Sequence, residues 1–406
     1  MKIGKPEHLH PRRRTKSRAT TGVQCTLQVA IFVVTACWRS PAEVSPADEL
    51  SAHKPTPGTA HRLLRMEAEL LHECNGRDGN EWYASMSKPL DDVVAHARSR
   101  IRKLNVQDWS KASSEQVVTA FREIDIGLHE SGFAVCVFVQ LLSESLGEPV
   151  LPDDERTRRL PVGDKSCIIL SEPDYRERYL RKHRCSGLRP IDCDLSSFVY
   201  MTIAEAEEWP LSFVEVPGHN FVRWRFADGS HLNWDTNDAQ QYTDDEYRRG
   251  DAGTAGPFDE ATERAGGYLR DMTQGQIDGY YISLFIDRID TPGCLKSAYD
   301  QVGEHNGMPP VVYNHFAWAF ATKVEFQGTR HASQAPKLGE LATAADPDCA
   351  FWDTLSCAYA ANGDFDKAAE VERLHVSSDS PRIPAYEAGR TCYEPAVAEN
   401  GGCPPK

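Results

Sequence analysis

Residues 191–238 read IDCDLSSFVYMTIAEAEEWPLSFVEVPGHNFVRWRFADGSHLNWDTND and carry the densest structural signals in the chain. A nearly continuous apolar run predicts a buried helix over 193–207. β-Branched and aromatic residues then predict three strands, 211–216, 221–226 and 231–234. An Asp-Gly pair at 228–229 predicts a hairpin turn between the last two strands. This order predicts an α+β fold in which helices pack on a small antiparallel sheet.

Three side chains in this stretch have the chemistry of a thiol nucleophile and its base. Cys193 stands at the predicted start of the helix, where free backbone N–H groups and the helix dipole favour the thiolate. His219 precedes one strand and can accept the thiol proton. Asp235 ends the next strand and can hold the imidazole in the required tautomer. The pattern therefore predicts a catalytic triad for acyl transfer, with a thiol whose pKa is lowered.

The hairpin turn decides whether His219 and Asp235 share a face of the sheet. A two-residue turn at 228–229 would place them on opposite faces. A three-residue turn shifts Asp235 opposite Phe221 or Arg223 and onto the face of His219. The triad therefore requires a three-residue turn, a bulge, or a His219 that lies outside the regular strand.

Neighbouring residues are candidates for supporting roles. Asn233 and Trp234 precede Asp235 and are expected to buttress it, as groups around a site commonly do. Arg223 lies on the middle strand, where it could line a substrate groove or serve ordinary strand packing. An oxyanion hole would use the backbone N–H of Cys193 and a second donor that the sequence does not identify.

These residues and their surroundings resemble the transglutaminase-like branch of the papain-like superfamily. Bacterial members carry a phrase like Pro-Gly-His, an aromatic residue and Val-Arg-Trp, followed by Asn-Trp-Asp/Glu-Thr; residues 217–224 and 233–236 match it. The resemblance implies a transglutaminase-like domain over 63–270 with its core at 191–248. It also implies a thioester on Cys193 and a peptide or protein amide as substrate, hydrolysed by water or transferred to an amine. A non-catalytic scaffold is the alternative.

The remaining cysteines give weaker signals. A helix predicted over 133–147 superficially imitates the catalytic one, but Cys136 lies too far inside it, and a buried core thiol is the better interpretation. Twelve Cys without a Cys-x-x-Cys pair, and the uncommon spacing of His183-Arg184-Cys185, argue against a zinc site. We expect neither a metal nor another cofactor. Among possible disulfides, Cys392 with Cys403 is the easiest pairing.

Helical patterns flank this core on both sides. Apolar spacings of three and four predict helices over 61–74, 90–104 and 114–129. In the C-terminal 276–378, four residues recur after 39 positions: Tyr313, Phe316, Ala317 and Phe320 are followed by Trp352, Leu355, Ser356 and Tyr359. This repeat resembles tetratricopeptide helices and implies an all-α module that binds a protein partner. An ordinary helical bundle is the alternative, and 379–406 is expected to be a tail.

The N-terminal region predicts export. An apolar run from Val23 to Ala36 follows a basic stretch and is shorter than the ~20 residues of a membrane span, so it suits a signal peptide. Residues 34–37 read Val-Thr-Ala-Cys and resemble the lipobox of bacterial lipoproteins, which implies lipidation at Cys37 in a cell envelope. Residues 1–37 are then a signal or membrane anchor and 38–62 a linker. A cytoplasmic protein with a disordered basic N-terminus is the alternative.

Charge bears on the class of partner. The net charge is −15, and residues 1–40 hold eight Lys and Arg against Glu7 alone, so the rest of the chain carries −15 − 7 = −22. A body this acidic repels polyanions, which argues against nucleic acid as the main partner.

Overall fold

The computed structural model describes residues 58–75, 78–136, 167–168, 189–237, 239–254, 256–286, 292–302 and 307–398. Over these residues many helices combine with a small antiparallel sheet, which confirms the α+β expectation. The predicted signal with Cys37, the linker and residues 183–185 lie outside the described residues. Within the described part, no helix has the length and apolar character that crossing a bilayer requires.

Three helices come first in the described chain: α1 (Thr59–Asn75), α2 (Gly79–Arg102) and α3 (Ser114–Glu130), with a 3-10 turn at Trp109–Lys111. The start of α3 is set locally, because Ser113 and Gln116 form a reciprocal capping box. The start of α1 is set from outside, because Glu205 accepts a hydrogen bond from the backbone N–H of Thr59 at 2.6 Å. Local sequence thus determines one of these boundaries and tertiary contact the other.

A strand replaces the helix predicted over 133–147. Strand β1 (Phe133–Cys136) pairs with β2 (Cys167–Ile168) and, in parallel, with β3 (Arg189–Ile191). The helix prediction is therefore wrong over 133–136, and 137–147 lies outside the described residues. An apolar run reads alike as a buried helix or a buried strand, and only pairing with a distant segment decides between them.

The main sheet follows the helix that starts at Cys193. Helix α4 (Cys193–Ala206) leads into four antiparallel strands in chain order: β4 (Leu211–Val216), β5 (His219–Arg225), β6 (His231–Asp235) and β7 (Gln240–Tyr242). Helix α4 covers one face, where Phe198 stacks on Phe213 with ring centroids 5.2 Å apart. On the other face Phe221 stacks on Tyr247 at 4.1 Å. Both faces are buried, so the strands show no clean apolar–polar alternation.

Ten further helices complete the described chain. They are α5 (Asp244–Arg249), α6 (Glu260–Gly266), α7 (Gln274–Leu284), α8 (Pro292–Val302), α9 (Pro310–Thr322), α10 (Ala335–Ala345), α11 (Cys349–Ala361), α12 (Phe365–Val371), α13 (Arg382–Glu387) and α14 (Pro395–Ala398). The predicted repeat falls on α9–α10 and α11–α12. Short 3-10 turns at Val324–Phe326 and Ala332–Gln334 fill the longer connection between α9 and α10. Ala368 of α12 is fully buried.

Disulfides tie distant segments of the described chain together. Cys74 of α1 is bonded to Cys294 of α8, so a helix that precedes the main sheet in sequence is covalently linked to a helix that follows it. Cys392 is bonded to Cys357 of α11, which corrects the predicted pairing with Cys403. The reason is packing: Cys392 is buried against the C-terminal helices, where Cys357 is within reach.

Candidate functional site

The predicted His219–Asp235 pair is present. Strands β5 and β6 align Val222 with Trp234, which places Asp235 opposite Phe221 and on the face of His219. The turn has three residues, because the backbone N–H of Phe226 donates to the carbonyl of Ser230 at 2.9 Å. Nε2 of His219 lies 2.6 Å from Oδ2 of Asp235, and both side chains are buried. The three-residue alternative of the sequence analysis is therefore confirmed.

Other groups fix this pair in place. The Asp235 carboxylate also accepts the backbone N–H of Asn237 at 2.9 Å and the hydroxyl of Tyr247 at 3.5 Å. Gly253 has a φ of +76°, and a Cβ built there would lie 3.6 Å from the His219 ring, so the backbone passes directly over the imidazole. The hydrogen bond from Nε2 to Asp235 and the close passage of Gly253 together fix the orientation of the imidazole ring.

Cys193 lies at the first turn of α4, as predicted. Asp192 caps that helix by accepting the backbone N–H of Leu195 at 3.1 Å. The half-buried sulfur lies 3.6 Å from Nδ2 of Asn220, the residue directly after His219. Thr236, directly after Asp235, shares a 2.6 Å hydrogen bond with Ser196 of α4. The helix start is thus bonded to the two strand segments that carry the His219–Asp235 pair.

The electrostatics of the thiol differ from the prediction. Burial raises the pKa of Cys193 well above its usual value, and the nearby carboxyls of Asp194, Asp192 and Asp235 raise it further. The backbone N–H of Asn220 opposes this effect but does not outweigh it. The expectation that the helix N-terminus lowers the thiol pKa is therefore wrong. Low-dielectric burial and negative charge disfavour the thiolate more than the helix dipole favours it.

A buried acidic cluster surrounds the sulfur. Oδ1 of Asp194 lies 3.7 Å from Sγ and accepts hydrogen bonds from Nδ2 of Asn220 and, at 2.8 Å, from the hydroxyl of Tyr280. Burial raises the pKa of Asp192, Asp194 and Glu215, while the His219 imidazole lowers that of Asp194. Tyr280 belongs to α7, so a helix beyond the predicted domain boundary contributes a side chain to this cluster.

Arg223, Asn233 and Trp234 are all buried. Arg223 donates to Oδ1 of Asn233 at 2.7 Å and to a carboxylate oxygen of Asp244 at 2.6 Å. Its third donor reaches the Leu269 carbonyl, so the guanidinium ties the sheet to the segments that follow it. Trp234 faces α4, where its indole N–H donates to the Tyr200 hydroxyl at 3.2 Å. All three side chains form contacts within the fold.

Three residues of the site, Asn220, Asp194 and Tyr280, were not predicted from the sequence. Asp194 is adjacent to Cys193, and its acidic character could have signalled a raised thiol pKa. Asn220 is a polar residue on the strand face that it shares with Val222 and Trp224, which is a usable signal for a polar contact. Tyr280 has no local signal, because only the packing of α7 brings it to the sulfur.

Comparison with protein-family models, with curated proteins and with solved structures finds no match to this chain.

Proposed function

We propose that the protein is a thiol enzyme of transglutaminase-like type, which forms a thioester on Cys193 from a peptide or protein amide. The observation that carries the proposal is the buried His219–Asp235 hydrogen bond of 2.6 Å beside the helix that starts at Cys193. A carboxylate that orients an imidazole is the arrangement expected for general-base activation of a nucleophile. Asn220, the residue directly after His219, lies 3.6 Å from Sγ of Cys193 and links the strand that carries the imidazole to the start of α4.

The raised thiol pKa determines the kind of activation. A raised thiol pKa favours the neutral thiol, so in this proposal His219 acts as a general base rather than as half of a preformed ion pair. Sγ attacks the carbonyl carbon while its proton passes to the imidazole of His219, and the C–O π electrons move onto oxygen. The C–N bond then breaks as the amine takes that proton, which leaves the thioester. Water or a second amine completes the reaction.

Acylation of Cys193 tests this proposal. We expect p-nitrophenyl acetate to acetylate the full chain at Cys193, located by peptide mass mapping. The reaction should slow by orders of magnitude in His219→Ala, because the proton then has no acceptor. Acetylation at Cys193 no faster than at an exposed thiol, or unaffected by His219→Ala, would refute the proposed activity.

A non-catalytic scaffold is the second candidate, favoured by the raised pKa of the half-buried thiol. In this case the α+β part is structural and the helical pairs α9–α10 and α11–α12 recruit a protein partner. The same acylation assay separates the candidates, because a scaffold thiol has no reason to depend on His219. A protein-binding role for the helical pairs is compatible with either function.

Location in an oxidising compartment is part of the proposal. The disulfides Cys74–Cys294 and Cys357–Cys392 support it, because structural disulfides persist outside the reducing cytosol. Together with the signal-like segment ending at Cys37, they support export to the bacterial envelope as a periplasmic or membrane-anchored lipoprotein. Mass spectrometry of the mature N-terminus tests this; a chain that begins at Met1 without lipid would contradict export by this signal.

A further inference from the structure

Asn220 has an unusual environment for a residue in the middle of a sheet. It is fully buried on the face of β5 that packs against α4. Val222 and Trp224, the next residues on that face, are apolar core residues. Asn220 is the one of these three with a side-chain amide, and it lies beside the sulfur of Cys193.

The donors of Asn220 converge on the candidate nucleophile. Nδ2 lies 3.6 Å from Sγ, and the same nitrogen donates to Oδ1 of Asp194. An amide nitrogen carries two hydrogens, so one can remain on Asp194 while the other points to the sulfur side. Tyr280 holds Asp194 from α7, which fixes the acceptor that orients this amide.

The oxygen of the Asn220 amide does not explain why a polar residue stands at this buried position. Oδ1 of Asn220 is buried and has no hydrogen-bond partner among the described residues. A buried carbonyl without a partner destabilises the folded state, and an apolar side chain of similar size would avoid that loss. The unmet acceptor indicates that packing alone does not account for Asn220.

We propose that the side-chain amide of Asn220 is an oxyanion donor for the acyl transfer on Cys193, acting with the backbone N–H of Cys193. The inference rests on the proposed function. When Sγ bonds to the carbonyl carbon, the former carbonyl oxygen takes the negative charge and lies next to the sulfur. The Nδ2 hydrogen on the sulfur side then donates a hydrogen bond to that oxygen. This hydrogen bond weakens again when the amine leaves and the C=O bond re-forms.

Two reagents separate this role from a structural one. Acetylation by p-nitrophenyl acetate passes through an oxyanion, whereas alkylation by iodoacetamide displaces iodide and does not. We expect Asn220→Ala and Asn220→Leu, in the full chain, to lower the ratio of acetylation to alkylation rates at Cys193 about 100-fold, the usual loss for one oxyanion donor. Leu fills the space that Ala leaves, so at least one variant should keep the fold. Asn362→Ala, which removes amide hydrogen bonds far from the site, is the matched control and should leave the ratio unchanged.

The outcomes are distinct. If both rates change in parallel in the Asn220 variants, the ratio stays constant and the oxyanion role is overturned in favour of positioning or packing. If wild-type Cys193 is not acetylated in a His219-dependent manner, the proposed function itself fails and the Asn220 assignment fails with it.

Discussion

The acidic cluster can be tested by removing one charge. Asp194→Asn keeps an oxygen that accepts the hydrogen bonds from Tyr280 and Asn220, but it removes the carboxylate 3.7 Å from Sγ. Coulomb's law at this distance, with an effective dielectric constant of about 20, gives an upper limit of about 4 kcal/mol. At about 1.4 kcal/mol per pH unit, that limit corresponds to about three pH units.

The expected change is smaller than the limit, because burial raises the pKa of Asp194 and so disfavours its charged form. We therefore expect the thiol pKa to fall by about one to three pH units. The sign follows from charge: without the carboxylate, the thiolate is less disfavoured and appears at lower pH. At a fixed pH below the thiol pKa, each pH unit by which that pKa falls makes alkylation about tenfold faster.

The assay is the rate of iodoacetamide alkylation at Cys193 across pH, with the labelled residue identified by peptide mass mapping. Asp92→Asn, on the exposed face of α2 with its side chain 70% exposed, is the control and should leave the profile unchanged. An Asp194→Asn profile that coincides with wild type, or that moves to higher pH, would refute the electrostatic account of the raised pKa.

Three further variants test other parts of the structure. Asp235→Asn should slow His219-dependent acylation about 10⁴-fold, because the imidazole loses the partner that sets its tautomer; an unchanged rate would contradict this. Cys357→Ser should lower the free energy of unfolding by about 4 kcal/mol, as loss of the loop closure to Cys392 predicts; reductant should abolish the difference, and a variant as stable as wild type would contradict it. Thr236→Val should lower the free energy of unfolding by about 1 kcal/mol, because the Ser196 hydroxyl loses one buried hydrogen bond and keeps the other, to the Asp192 carbonyl; an unchanged melting temperature would argue against it.

The sheet and the His219–Asp235 pair were largely predictable from sequence. β-Branched and aromatic residues locate strands β4 to β6, and the Asp228-Gly229 pair locates the turn between the last two. The turn length was left open, because an Asp-Gly pair is compatible with two- and three-residue loops. Gly229 has a φ of +85°, which completes the three-residue loop and places Asp235 on the face of His219.

Helix boundaries were less predictable where tertiary contacts or proline intervene. Helix α2 starts at Gly79 and runs through Pro89, whereas the apolar periodicity starts only at residue 90. Asp78 caps the start of α2, because its side chain accepts hydrogen bonds from backbone N–H groups. This capping residue lies well before the apolar residues of the helix, so the sequence does not readily connect the two. Strand β1 depends on pairing with 189–191, more than fifty residues later, which no local pattern reveals.

The thiol pKa could not be predicted from the position of Cys193 alone. A helix N-terminus favours a thiolate, and the sequence shows that position correctly. The sequence does not show that α7 brings Tyr280 against Asp194, or that the sulfur is half-buried in the fold. Burial and carboxyl charge depend on the assembled fold, and here they reverse the local effect.

The most direct test of the account is the pH profile of Cys193 acetylation, measured beside that of its alkylation on the same full-length protein. General-base activation by His219 predicts that acetylation proceeds at pH values well below the midpoint for alkylation, because the raised thiol pKa delays formation of the thiolate that alkylation needs. It also predicts that only acetylation depends strongly on His219. Coincident profiles with a midpoint below pH 7, as a preformed thiolate–imidazolium pair would give, would contradict the account.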